Sequence, residues 1–305
     1  MSNEPVETAQ SRRRRNLRKG VFIVPSLLTT GNIFCGFYSV IESLKGFQAL
    51  GLGKIDASTA HFDIAALAIG WSWLFDFLDG RIARMTKATT EFGVELDSIA
   101  DVLSFGIAPA VLAYSWGYST IPQFQKLAWA VSFMFLVCGA LRLARFNVQA
   151  RTAAQEPHAN KAAKKYFVGM PIPAGASLIA AIVHFSPAPL VTHATSVRLF
   201  DITVDHFYSL LMLILVAILA LLMVSTIRYN NFKGDGARNL GKPQIVLVIA
   251  ILMYVIYFWS DVALLVMATC YASLGPLSKL LSFIRPRPNS VSPEMASAEM
   301  ELHQQ

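Results

Sequence analysis

Apolar residues along this chain fall into long runs separated by short polar segments. Eight runs approach the length of a membrane span: 21–43, 62–80, 95–117, 127–148, 170–187, 207–227, 243–259 and 262–283. A helix needs about 20 mostly apolar residues to cross a bilayer. The predicted fold is therefore an all-α integral membrane protein with about eight transmembrane helices. Only Trp259, Ser260 and Asp261 separate the last two runs, which predicts a tight hairpin there. The first run follows a basic segment, but no small-residue cleavage pattern follows it. It reads as a retained span and not a removed leader.

Composition agrees. Of the 305 residues, 54% are hydrophobic and 15% charged, against about 25% charged in a typical soluble domain. A net charge of +7 would suit a nucleic-acid binder, but the placement of the charges excludes that reading. Of the 26 lysines and arginines, 22 fall in the N-terminus, in alternate loops and in the C-terminus, all on one side of an eight-span arrangement. The other side keeps only Lys45, Lys54, Lys126 and Arg198. Positive residues concentrate on the cytoplasmic side, so both termini are expected there. The Arg12–Lys19 cluster next to the first span is suited to anionic headgroups. Cys35, Cys138 and Cys270 each sit in an apolar stretch without metal-ligand spacing and read as small buried hydrophobes. The chain divides into a basic juxtamembrane segment (1–20), a transmembrane core (21–230), additional C-terminal helices (231–284) and a polar, proline-containing tail (285–305) expected to be disordered.

Four carboxylates interrupt this apolar pattern. Asp76 and Asp79 end the second run, three residues apart, and Asp97 and Asp101 open the third, four apart. Each spacing puts its pair on one helix face, and the short basic stretch between them makes the two helices a hairpin. An aspartate at the centre of a span costs about 2.5–3.5 kcal/mol on insertion scales, so four are expected to line a polar cavity. Carboxylates this close repel one another unless cations intervene, and an all-oxygen set suits Mg²⁺ or Mn²⁺. Gly80 and Gly93 leave room for a bulky ligand beside the helices. Arg84 offers a planar fork suited to phosphate. The six histidines show no paired spacing, and none is expected to act in catalysis.

Asp76-x-x-Asp79-Gly80-x-x-Ala83-Arg84, then eight residues, then Gly93-x-x-x-Asp97-x-x-x-Asp101 resembles the signature of the CDP-alcohol phosphatidyltransferase family, matched at every defined position over a core of about 20–230. Further segments resemble its membrane-type CDP-diacylglycerol–serine O-phosphatidyltransferase branch: Pro25–Asn32, Ser104–Ala110, Leu141–Asn147, Gly169–Ala174 and Val224–Tyr229. Ser26 and Gly31 depart from the pattern expected of the first span.

The resemblance implies two divalent ions, one on Asp76, Asp79 and Asp97 and the other on Asp76, Asp97 and Asp101, with Asp101 also the general base. It implies nucleotide contacts from Gly80, Arg84 and Thr90, with Thr29 and Asn32 contributing from the first span. The implied reaction moves the phosphatidyl group of CDP-diacylglycerol to the hydroxyl of L-serine, releasing CMP without a covalent intermediate. It also implies a homodimer; a bacterial inner membrane is expected, and the charge count puts the active site on its cytoplasmic side. Serine carries a carboxylate, so its pocket should supply a cation: Arg142 and Arg145 are candidates, with Asn147 as a polar partner and Arg228 as a further cation. Inositol, glycerol 3-phosphate or choline are the alternative acceptors. A divalent-cation transporter is the alternative of another class, but its site belongs near the midplane, whereas these acids cluster at one end.

Overall fold

The computed structural model of the protein describes residues 9–86, 90–119, 121–122, 125–155, 166–192, 197–199, 202–204, 206–230 and 260–284. Among the described residues, seven helices dominate. Two very long ones come first, α1 (Ala9–Gly51) and α2 (Ile55–Thr86), joined by a turn in which Gly53 takes φ +71°. Then follow α3 (Glu91–Tyr118), α4 (Gln125–Gln155), α5 (Ile172–Phe185), α6 (Phe207–Val224) and α7 (Ser260–Ile284).

Seven of the eight expected segments coincide with these helices; 243–259 lies outside the described residues, as does the 285–305 tail. Among the described residues, four helical stretches are long and apolar enough to cross a membrane: Glu91–Tyr118, Gln125–Thr152, Phe207–Val224 and Ser260–Leu277. The apolar helix α5, at 14 residues, is shorter. In α1 and α2 polar residues break the hydropathy, and several of them turn inward: Asn32, Ser39, Glu42 and Ser43 on α1, Ser58, Ser72 and Asp79 on α2 are all buried.

Those inward polar groups hold α1 and α2 together. Ser39 donates to the Ala65 carbonyl and Ser58 to the Gly46 carbonyl, both at 2.8 Å. Glu42, 2% exposed, accepts from Lys45 at 2.7 Å and meets His61 Nδ1 at 2.6 Å. An unpaired carboxylate would be costly at such a place. Small residues then let the backbones approach, the usual means of helix association when lipid is as apolar as the side chains. A Cβ on Gly46 would lie 2.9 Å from the Phe62 ring.

The core runs through all the central helices, with Phe62 and Ile69 of α2, Phe105 and Leu112 of α3, Phe135 of α4, Ile179 of α5 and Met223 of α6 in one buried cluster. Outward positions such as Phe34, Trp71, Trp129, Phe133, Leu211 and Ile218 remain exposed, as lipid-facing residues would.

Two short antiparallel ribbons accompany the all-helical body. β1 (Tyr166–Val168) pairs with β4 (Arg228–Asn230), and β2 (Val197–Leu199) with β3 (Ile202–Val204). The first ribbon ties the approach to α5 to the exit from α6. Gly169 continues it at φ +83°, its N–H donating to the Ile227 carbonyl at 2.9 Å and a Cβ there running into the Met223 carbonyl. Only glycine fits that conformation and that space. Pro171 then caps α5, which begins at Ile172 as a rigid start.

Candidate active site

Thr90 opens α3. Its backbone is extended and its side chain accepts from the Gly93 N–H at 3.0 Å, a helix N-cap. The cap explains one expected site residue in structural terms, and it explains Gly93 too, where a Cβ would lie 3.1 Å from the Thr90 hydroxyl. From this start the helix carries Asp97 and Asp101 back alongside α2. Immediately after Asp101 the winding loosens into a π-helical stretch, Val102–Ile107, and a second follows at Tyr114–Tyr118. Such turns are rare and concentrate at functional sites.

Asp76, Asp97 and Asp101 converge. Each offers a carboxylate oxygen, and the three oxygens lie within 4.8 Å of one another. Oδ1 of Asp97 and Oδ1 of Asp101 are buried with no hydrogen-bond partner. Three half-buried acids gathered this closely, two of them with an unsatisfied oxygen, form a ligand set for a hard cation, which takes oxygen donors.

The fourth aspartate stands slightly apart. Asp79 is 4% exposed and accepts from the Thr29 hydroxyl at 2.9 Å. The structure thus places Thr29 behind an acidic residue. One turn further along α1, Asn32 is fully buried, and both side-chain amide atoms lack a partner. A polar ligand reaching this depth would satisfy them. Gly80 follows Asp79 within α2, as read from the sequence. The side chain of Arg84 lies outside those described. Arg81, an alternative ion-pair partner for the acids, is exposed and sits over the Phe77 ring at 6.0 Å.

The acceptor candidates separate. Arg142 on α4 is half-buried and within electrostatic reach of Asp101 and of Tyr271 on α7, and its Nε is buried without a partner. Asn147 donates to the Ser98 hydroxyl at 2.8 Å, binding the end of α4 to α3. Arg145 is exposed, and the side chain of Arg228 lies outside those described. Tyr271 had no signal in the sequence, since nothing near it repeats the spacing of the acids. It lines an apolar cavity of 680 Å³ between α2, α5 and α7, together with Gly70, Trp73 and Pro173. Trp73 is one turn from Asp76, so the cavity opens close to the acidic cluster.

Comparison with known proteins agrees with this geometry. The profile of the CDP-alcohol phosphatidyltransferase family matches residues 22–204. A CDP-diacylglycerol–serine O-phosphatidyltransferase of Helicobacter pylori (strain ATCC 700392 / 26695) is 35% identical over 214 residues, 70% of this chain and 74% of the relative. The Bacillus subtilis (strain 168) protein of that name is 30% identical over 218 residues, 71% of this chain and 95% of the relative. The Saccharomyces cerevisiae one is 40% identical over 166 residues, 54% and 53% of the two chains. Both signature helices, and the acids they bring together, fall within the matched region, and the chain belongs to the CDP-alcohol phosphatidyltransferase family.

Proposed function

We propose that this membrane protein transfers the phosphatidyl group of CDP-diacylglycerol to the hydroxyl of L-serine, giving phosphatidylserine and CMP. The observation that carries the reading is the convergence of Asp76, Asp97 and Asp101 within 4.8 Å, with two of their oxygens buried and unpaired. Serine as acceptor rests on the relatives, each named as a serine O-phosphatidyltransferase.

The residues fit divalent ions: Asp76, Asp79, Asp97 and Asp101 would hold two, of Mg²⁺ or Mn²⁺. Such ions, when bound, neutralise the diphosphate and stabilise the attacking and leaving oxygens of a phosphoryl displacement. The chain's own groups do the rest. Asp101 takes the proton from the serine hydroxyl, whose oxygen bonds to the phosphorus that carries diacylglycerol. The bond from that phosphorus to the CMP oxygen breaks, and CMP departs with the electron pair. No side chain becomes covalently attached.

Thr29, Asn32, Gly80, Arg84, Thr90 and Gly93 form the CDP-lipid side of the site in this reading. Arg142 holds the serine carboxylate with Arg145 and Asn147 nearby, and the 680 Å³ cavity faces the apolar part of the substrate. The site opens to the cytoplasm from a bacterial inner membrane, and the basic N-terminus rests on anionic lipid. The active form is a homodimer.

The test is CMP release by detergent-purified protein given CDP-diacylglycerol and Mg²⁺ or Mn²⁺, with serine, inositol, glycerol 3-phosphate and choline in parallel. Release with serine, lost in Asp101→Asn and on chelation, is expected. Release with another acceptor instead would overturn the choice of serine and leave the displacement chemistry. No metal-dependent release with any acceptor would overturn the enzyme reading.

A further inference from the structure

One backbone oxygen lies at the crossing of the three helices that build the site. The Asn32 carbonyl on α1 accepts two side-chain hydrogen bonds, from Ser72 of α2 and from Ser104 of α3, each at 3.0 Å. Asn32, Ser72 and Ser104 are all fully buried. Ser72 sits four residues before Asp76, on the same helix face. Ser104 lies within one turn of Asp101, inside the π-helical stretch Val102–Ile107. The two serines therefore belong to the two acid-bearing helices, one turn from the acids, and both grip the same atom.

The approach that allows this is specific. A Cβ on Gly36, one turn beyond Asn32, would lie 2.7 Å from the Ser104 Cα, closer than real Cβ atoms come. The α1 and α3 backbones thus meet at van der Waals distance, and Gly36 is the notch that admits the widened turn. Asp76 and Asp101, each one turn from one of these serines, both belong to the cluster whose carboxylate oxygens lie within 4.8 Å of one another.

We infer that Ser72 and Ser104, through the Asn32 carbonyl and the Gly36 notch, are positioning residues that set the separation of Asp76 from Asp101 and hence the metal affinity of the site. Neither serine reaches substrate; each acts through the carboxylate one turn away. The inference rests on the metal-dependent reading above. It adds residues outside the aspartate signature, and it gives the π-helical stretch a purpose. Two segments that resemble the serine branch, Pro25–Asn32 and Ser104–Ala110, meet at this point, so the bolt joins what the sequence shows as separate motifs.

The experiment compares full-length wild type, Ser72→Ala, Ser104→Ala and the double variant in detergent, with Asp101→Asn as control. Free Mn²⁺ is measured by electron paramagnetic resonance to obtain binding directly, and CMP release is followed against Mn²⁺ and CDP-diacylglycerol concentration. Groups that orient metal ligands typically change affinity by about 10–100-fold when removed, so each single variant should weaken Mn²⁺ binding at least about tenfold. The Mn²⁺ concentration for half-maximal release should rise by the same factor, with KM for CDP-diacylglycerol unchanged. Either change alone breaks the α2–α3 coupling, so the double variant should be no worse than the weaker-binding single.

Mn²⁺ binding within about twofold of wild type in folded variants, whatever their melting temperatures, makes the serines packing residues and overturns the inference. Additive losses in the double variant overturn the shared bolt. Either serine alone decides the question if the other variant does not fold. Wild type that binds Mn²⁺ but releases no CMP sinks the proposed reaction while the binding data still judge the bolt; wild type that binds no Mn²⁺ sinks both.

Discussion

Thr29 on α1 donates a 2.9 Å hydrogen bond to Oδ2 of Asp79 on α2. The pair is separated by 50 residues and buried from solvent, with Thr29 5% and Asp79 4% exposed. A carboxylate at such depth needs donors, and loss of a partner leaves it paying the full desolvation penalty. Thr29→Val keeps the shape of the side chain and removes only the donor. It should cost about 1–3 kcal/mol of stability and lower CMP release, while Thr29→Ser should recover both. Thermal melting and initial rates on the same preparations check this. A valine variant indistinguishable from wild type in melting and in rate would show that the bond does nothing for Asp79.

Arg142 presents the next case. Its guanidinium is half-buried near Asp101, with Nε unpaired, which is the condition of a group awaiting an anionic partner. Arg142→Ala should raise KM for serine about tenfold or more, the scale of a lost charged hydrogen bond, and leave KM for CDP-diacylglycerol close to wild type. Arg142→Lys should recover part of the loss, since a point charge replaces a planar fork. Steady-state kinetics with each substrate varied in turn separates the two constants. A rise in KM for the CDP-lipid, with serine unaffected, would move Arg142 to the other side of the site.

Metal binding should also be visible without turnover. A ligand that binds only the folded state raises stability by mass action, so Mn²⁺ added to chelated protein should raise the melting temperature in a concentration-dependent way. Asp97→Asn removes one of the three converging carboxylates and should reduce or abolish that rise. An equal rise in wild type and variant would place the stabilising ion elsewhere on the protein.

The acids were legible because their signal is local. Spacings of three and four within apolar runs put Asp76 with Asp79 and Asp97 with Asp101, and the hairpin between them follows from a short basic loop. Most helices were legible for the same reason, as a composition sustained over a span. What stayed hidden was decided by distant chain. Thr29 faces Asp79, and Ser104 faces Asn32, across 72 residues; no window of sequence contains both partners. Tyr271 reaches the neighbourhood of Arg142 from the last helix. The three-residue ribbons are too short to have a period, and a π-helical turn differs from an α-helical one by a single residue of slack. Thr90 could have been read as a cap, since threonine before a helix start satisfies free N–H groups, but the family resemblance implied a nucleotide contact there instead.

His184 shows the same long-range logic at the opposite end of α2. Its Nδ1 meets Asp63 at 2.6 Å and its Nε2 meets Ser260 at 3.0 Å, so one imidazole ties α5 to α2 and to the first residue of α7. Asp63 lies 13 residues before Asp76, about 20 Å along the helix at 1.5 Å per residue. At that distance the histidine touches no reacting group, and its work is to hold α7 against the bundle. His184→Ala breaks both bonds and leaves the half-buried Asp63 without this partner. The melting temperature should fall by several degrees, about the effect of 1–2 kcal/mol in a chain of this size. Because His184 also lines the apolar cavity, the rate is compared at saturating CDP-diacylglycerol, where CMP release per folded molecule and its Mn²⁺ dependence should stay at the wild-type level. A rate that collapses in protein that still melts cooperatively would mean that the seating of α7, with Tyr271 near Arg142, reaches the acidic cluster after all.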